Sequence, residues 1–272
     1  MRRAFGHLHR WLGLATAAFL FISGLTGAVI SFDHELDAWL NPTFYVAPEA
    51  AGPALAAVEL ADRVEAREPR IRVTYLPLSA VPGETVQMFG MPRMDPATGA
   101  PFELGFDQLA VDPSTGAILA SREWGAVSLR RENILSFLYK LHYTLHIPDG
   151  FGIELGSVFM GLVAIAWTVD CVVSLYISFP NPKLWRRSFQ FSWREGGRRL
   201  LFDLHRSGGV WLWALLFVLA VTAVSMNLGD QVVRPLVALV SPLSPDPFDG
   251  APVPTEPLPE PRPLSDDERA AL

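Results

Sequence analysis

The chain has 272 residues, half of them hydrophobic and only 18% charged, where soluble domains carry about 25% charged residues. That balance points to a membrane protein with a sizeable part outside the bilayer. The formal net charge of -6 argues against a nucleic-acid binder. The single cysteine, Cys171, excludes an internal disulfide framework, a four-cysteine iron–sulfur site and covalent c-type haem attachment.

Residues 11–32 form the first apolar run, uncharged and long enough to cross a hydrocarbon core of about 30 Å. Residues 151–179 form a second, with Asp170 inside it, and residues 210–228 a third. The fold class expected is a helical membrane protein with three transmembrane helices and a small extracytoplasmic α+β domain. Lys and Arg collect on the cytoplasmic side of spans. Arg2, Arg3 and Arg10 precede the first run, and the loop at 180–209 holds Lys183, Arg186, Arg187, Arg194, Arg198, Arg199 and Arg206. Segment 34–150 and the tail at 229–272 are acid-rich by contrast. The expected topology is therefore cytoplasmic for 1–10 and 180–209, and outside for 34–150 and for the Pro-rich tail.

Within the outer segment, residues 53–123 read as the α+β unit. Residues 54–67 have helical periodicity ended by Pro69, residues 71–76 alternate like a strand, and 84–89 is a second strand candidate. Residues 108–112 and 117–120 flank Asp112-Pro113-Ser114-Thr115-Gly116, a hairpin signature. Residues 92–101 read as an extended loop. The unit holds no histidine, cysteine or glycine-rich phosphate loop, so it reads as a binding or scaffolding module and not as the seat of chemistry.

The third span echoes the first. Leu8-His9-Arg10 opens one and Leu204-His205-Arg206 the other, with Leu20-Phe21 and Thr26 matched by Leu216-Phe217 and Thr222. Residues 264–272 resemble a capped helix start, with Ser265 before Asp266 and Asp267, and read as the possible beginning of a second outer domain.

This layout resembles the PepSY-associated transmembrane family, the iron-regulated membrane proteins that include periplasmic ferric-siderophore reductases. The resemblance rests on several motifs taken in order. They are His9-Arg10-Trp11-Leu12-Gly13, Thr26-Gly27, Glu35-Leu36-Asp37 with Asn41-Pro42, Val111-Asp112-Pro113-Ser114-Thr115-Gly116, Leu141-His142-Tyr143-Thr144-Leu145-His146 and Leu204-His205-Arg206. It implies a bacterial inner-membrane protein, haem b and electron transfer across the membrane. Family members have four spans and two outer domains, so the chain reads as C-terminally truncated, the first half to two thirds of one.

The histidines then divide by position. Neutral imidazoles from two helices can hold one haem iron axially without cysteine. His9 and His205 lie at the inner ends of spans one and three. His34 lies past the outer end of span one, and His142 and His146 precede span two. Those two are four apart and share a face if helical, a spacing that suits a small metal or one haem ligand whose partner lies elsewhere. His9 and His34 stand about 37 Å apart along one helix at about 1.5 Å per residue, so they cannot share an iron. The candidate ligands are an inner pair, His9 and His205, and an outer set, His34 with His142 or His146, for two haems. His7 is two residues from His9 and reads as a bystander. Asp170 would pair with a histidine or arginine, be protonated, or mark a helix end. Cys171 reads as an inert core residue.

The leading expectation is a haem b protein that takes electrons from an unidentified donor and passes them to a periplasmic ferric complex, such as a ferric siderophore, with the lipid bilayer as its other partner. A non-enzymatic PepSY membrane anchor that binds or regulates an envelope protein is the alternative, and an inactive truncated reductase a third.

Overall fold

The computed structural model describes residues 1–49 and 52–244. The chain divides into two compact units, Met1–Leu228 and Gly229–Leu272.

Among the described residues, three helices are long and apolar enough to cross a membrane: α1 (Arg2–Ile30), α5 (Leu155–Ser178) and α6 (Gly197–Asn227). Between α1 and α5 lie α2 (Asp33–Leu40), α3 (Ala57–Arg67), strands β1 (Ile71–Tyr75), β2 (Val86–Pro92), β3 (Gln108–Val111) and β4 (Ile118–Arg122), and α4 (Ile134–Thr144). The second unit's described part holds a π-helical turn, Gly229–Val233, and the short α7 (Arg234–Ala238). The expected start of a second outer domain at 264–272 lies outside the described residues.

Two spans begin earlier than their apolar runs. Helix α1 starts at Arg2 and not near residue 11, and α6 starts at Gly197 and not at 210. The reason is that the helical hydrogen-bond ladder continues where hydrocarbon ends, and long basic side chains reach water or headgroups from a helix as well as from a loop. His9 and His205 therefore lie inside helices, and the basic connection ends at Gly196.

Helix α5 is the central span. It packs against both α1 and α6, and it is the most buried of the three. Small residues let these helices approach, as in other membrane bundles. Gly161 of α5 faces Leu228 so closely that no Cβ fits there. Phe19 meets Phe159 edge-on at 5.1 Å, and the Trp213 Nε1–H donates to the Cys171 carbonyl at 2.8 Å. At the shared end of α1 and α5, Arg2 donates to the Phe179 carbonyl at 2.6 Å, a cation on the negative pole of a helix. Trp11, Leu14, Phe21 and Leu25 are exposed along the outside of α1, the face a lipid would cover.

The four strands form an antiparallel meander in the order β1-β2-β3-β4. Alternation sorts their side chains. Val86, Met88, Leu109 and Val111 face Leu60 and Val64 of α3 in a core that also takes Ile71. The expected hairpin is present. Gly116 sits at φ +70, and Asp112 Oδ1 accepts from both Ser114 N and Ser114 Oγ. Burial raises the Asp112 carboxyl, and the Ser114 and Thr115 hydrogen bonds together outweigh it, holding the group below the usual carboxylate range.

All residues of β3 are buried, because the second sheet face is covered too. There Arg122 of β4 forms an ion pair with Asp37 of α2 at 2.7 Å, both side chains under 5% exposed. Arg122 also donates to Gln108 Oε1 at 2.6 Å and to the Glu132 carbonyl at 2.8 Å, and stacks over Phe44 at 4.4 Å. Asp37 accepts from Asn41 Nδ2 at 2.7 Å and from the Tyr45 hydroxyl at 2.8 Å. This fully paired polar knot ties the sheet to the helix that directly follows span one.

Candidate functional site

The site begins at the end of the bundle where α1 starts and α5 finishes. His9 of α1 points its Nδ1 at Asp170 of α5, 2.9 Å from Oδ1 and 3.0 Å from Oδ2. A carboxylate only accepts, so Nδ1 carries the proton and Nε2 is the open nitrogen. Asp170 is 8% exposed, and this carboxylate inside an apolar helix has found a partner. The His9 and His205 rings lie 5.9 Å apart between centres, tilted by 38°. The structure thus brings together three groups from three spans.

The position of His205 is set by a clasp between α6 and the basic connection. Residues Pro182–Phe189 form a 3-10 turn that folds against the start of α6. Ser207 Oγ donates to the Gln190 carbonyl at 2.7 Å, Trp211 Nε1–H to the Phe189 carbonyl at 3.1 Å, and Arg206 to the Arg187 carbonyl at 2.6 Å. The buried Asp203 carboxylate accepts from Ser192 N and pairs with Arg199 and Arg206. The connection is therefore folded, and Arg206, next to His205, pairs with Asp203, which it shares with Arg199. His7 is exposed and outside this group.

A second histidine faces α1 farther along. The His142 Nδ1–H donates to the Ser23 carbonyl at 2.9 Å, with Thr26 Oγ1 at 3.2 Å from the same nitrogen. The Ser23 hydroxyl returns a bond to the His142 carbonyl at 3.1 Å. Gly27 makes room for the ring, since a Cβ there would stand 3.0 Å from His142 Cε1. As at His9, Nδ1 is spent and Nε2 is open. The contact level at Ser23 to Gly27 lies about 21–27 Å along α1 from His9.

His146 does not share a helix face with His142. Helix α4 ends at Thr144, and Leu145 and His146 both take left-handed backbone at φ +54. The turn folds the His146 ring back flat onto Phe137 at 4.5 Å, and its Nε2–H donates to the Phe137 carbonyl at 2.9 Å. The four-residue spacing misled because α4 ends at Thr144, so His146 lies beyond the helix. His34, exposed on α2, meets Tyr45 edge-on at 4.9 Å, and not His142 or His146. Tyr45 lines a cavity of about 100 Å³ between α2, α4 and the sheet, with Asp33, Gln87, Arg122, Trp124 and Tyr139.

Among the described residues no cluster of three or more His, Cys, Asp or Glu side chains is arranged to hold a bare metal ion. Two imidazoles from two helices are a different donor set, one that can hold a haem iron. Two metal–nitrogen bonds of about 2.0–2.1 Å, plus about 1.1 Å from each nitrogen to its ring centre, put the ring centres about 6 Å apart. The observed 5.9 Å fits.

Sequence reading singled out His9, His205 and Asp170 but not the bond between His9 and Asp170. It named Asp37 only within the Glu35-Leu36-Asp37 motif, and it gave no role to Arg122 or Asp203. The signal available for these was an acid or a lone arginine standing where the neighbouring pattern calls for apolar residues.

None of the curated proteins searched matches this chain. A family model described as PepSY-associated TM region matches residues 7–271. With three apolar spans and a small antiparallel sheet between the first two, the chain is a multi-pass membrane protein that belongs to the PepSY-associated TM family.

Proposed function

We propose that the chain is a haem b protein of the bacterial inner membrane that carries electrons outward and reduces a ferric complex, such as a ferric siderophore, on the side of the sheet. The observation that carries this reading is the approach of the His9 and His205 rings to 5.9 Å between centres, with Asp170 on Nδ1 of His9. When bound, the porphyrin iron supplies one-electron redox chemistry. His9 and His205 would hold it from two helices. Asp170 keeps the Nδ1 proton on His9 and so fixes which nitrogen is free to ligate. The clasp at Asp203, Ser207 and Trp211 fixes the approach of α6.

His142 would hold the outer haem, because its Nε2 is open while that of His146 is engaged by Phe137. His34 would be its partner, although its ring rests against Tyr45 and not against His142. The basic connection, with exposed Lys183, Arg186, Arg194 and Arg198, would face the cytoplasm and anionic headgroups. The sheet and the acid-rich segment would face the periplasm. Reduction of Fe(III) to Fe(II) weakens hard oxygen ligands and would release iron from the complex.

The test is a reduced-minus-oxidised spectrum of the purified chain from haem-replete cells, with haem counted per chain. The expected result is b-type bands and two haems, one lost on His9→Ala or His205→Ala and the other on His142→Ala. Absence of any haem band, or unchanged haem content in these variants, overturns the reading and favours a non-enzymatic anchor for an envelope protein. Reporter fusions that place His9 and His205 on opposite sides of the membrane overturn it equally.

A further inference from the structure

The turn between α5 and α6 carries charge that its neighbours do not match. Lys183, Arg186 and Arg187 of the 3-10 turn Pro182–Phe189 are all exposed. Residues three apart eclipse one another in such a turn, so Lys183 and Arg186 share one face. Like charges held so close repel. The acids of this connection and of the start of α6 are engaged elsewhere: Glu195 pairs with Arg199, and Asp203 with Arg199 and Arg206.

The turn is also tied down. The Asn181 side chain caps its start by accepting from Lys183 N at 2.9 Å, and the Ser188 hydroxyl donates to the Ser178 carbonyl of α5 at 2.6 Å. Arg206 and Trp211 of α6 hold the Arg187 and Phe189 carbonyls. Phe189 gathers Phe179, Trp185 and Trp211 around it, with ring centres 5.8, 5.8 and 5.3 Å away. Trp185 and Trp211 nevertheless stay 50% and 64% exposed, and Leu184 is exposed beside them.

We propose that this corner is a binding site for an anionic phospholipid. The lipid phosphate bridges Lys183 and Arg186 and relieves their repulsion. The glycerol and the upper part of an acyl chain lie on Leu184, Trp185 and Trp211. A soluble anion would need the cations alone. Exposed indole rings at the meeting of two span ends continue the lipid-facing surface of the bundle, and indoles favour the boundary between headgroups and hydrocarbon. The inference narrows the general attraction of the basic connection for headgroups to one defined site.

The experiment is native mass spectrometry of the full chain in detergent, with dioleoylphosphatidylglycerol and dioleoylphosphatidylcholine supplied in equal amounts and the retained lipid counted per chain. The expected result is retention of phosphatidylglycerol over phosphatidylcholine. Lys183→Gln with Arg186→Gln lowers that preference about thirtyfold, from about fivefold per cation near a membrane surface. Arg194→Gln with Arg198→Gln takes the same charge from exposed positions of the same region and leaves the preference unchanged. Glycerol phosphate, an anion without acyl chains, does not displace the lipid.

Equal retention of both lipids by the native chain overturns the inference. An equal loss in the two double variants overturns it too, since the attraction is then diffuse. Displacement by glycerol phosphate means a free-anion site and overturns the lipid assignment. Haem is not read in any arm, so failure here leaves the haem reading standing, and failure of that reading leaves this site standing.

Discussion

Arg122 is the cation of the buried knot, and its replacement by Met gives the sharpest test of how the sheet is held to the spans. The change keeps much of the side-chain volume but removes the 2.7 Å ion pair with Asp37, the bonds to Gln108 and the Glu132 carbonyl, and the stacking on Phe44. What remains is a carboxylate 3% exposed, with Asn41 and Tyr45 still donating but no counter-charge. Breaking one side of such a pair costs about 3–5 kcal/mol, mostly for the charge left behind. At about 2–4 °C per kcal/mol, the unfolding midpoint of the sheet falls by about 6–20 °C. The assay is thermal unfolding of the full chain in detergent, followed by tryptophan fluorescence, since Trp124 lines the adjoining cavity. The double variant Asp37→Leu with Arg122→Met removes both charges and is expected to lose less stability than Arg122→Met alone. A midpoint within 2 °C of the native chain for Arg122→Met, or a double variant that loses the sum of both single losses, refutes this account of the knot.

Other outcomes follow from single contacts. Gly156→Ala places a Cβ 2.5 Å from the Thr144 carbonyl oxygen, so α4 and α5 must separate; cross-linking yield between cysteines introduced in these helices drops, and stability with it. Gly116→Ala puts a side chain on a left-handed residue 2.9 Å from Arg63 Cβ, and it costs about 1–2 kcal/mol or more, read as a lower denaturation midpoint. Tyr45 is pushed up to about 12 by burial first and by the Asp37 carboxylate second. The folded chain therefore keeps a proton that the unfolded chain loses above about 10. Stability is full below that value and falls as pH rises through the window toward 12. Tyr45→Phe flattens the fall in a pH series of melting curves.

The apolar runs, the strand alternation and the turn residues of the hairpin were legible because each is set by neighbours in sequence. Length of an apolar run fixes a span, and the DPSTG turn fixes the pairing of β3 with β4. The histidines could be singled out for a similar reason, since an imidazole beside an apolar run stands out from its surroundings. Helix ends were less so. The starts of α1 and α6 and the stop of α4 at Thr144 depend on backbone hydrogen bonds and on left-handed residues at 145 and 146, neither of which hydropathy records.

Tertiary structure alone decided who meets whom. Asp170 carried three readings in the sequence, and only the packing of α5 against α1 selected the bond to His9. His142 and His146 were equivalent by spacing, and the fold distinguished them by giving one a carbonyl on α1 and the other a carbonyl on its own helix. Asp37 and Arg122 lie far apart in the chain, and nothing local in either segment foretells a buried pair. A membrane-spanning sequence is written chiefly by one-body terms, the transfer of each side chain between water and hydrocarbon. Pairwise terms, hydrogen bonds and ion pairs among the few polar groups left over, act only once the helices stand side by side.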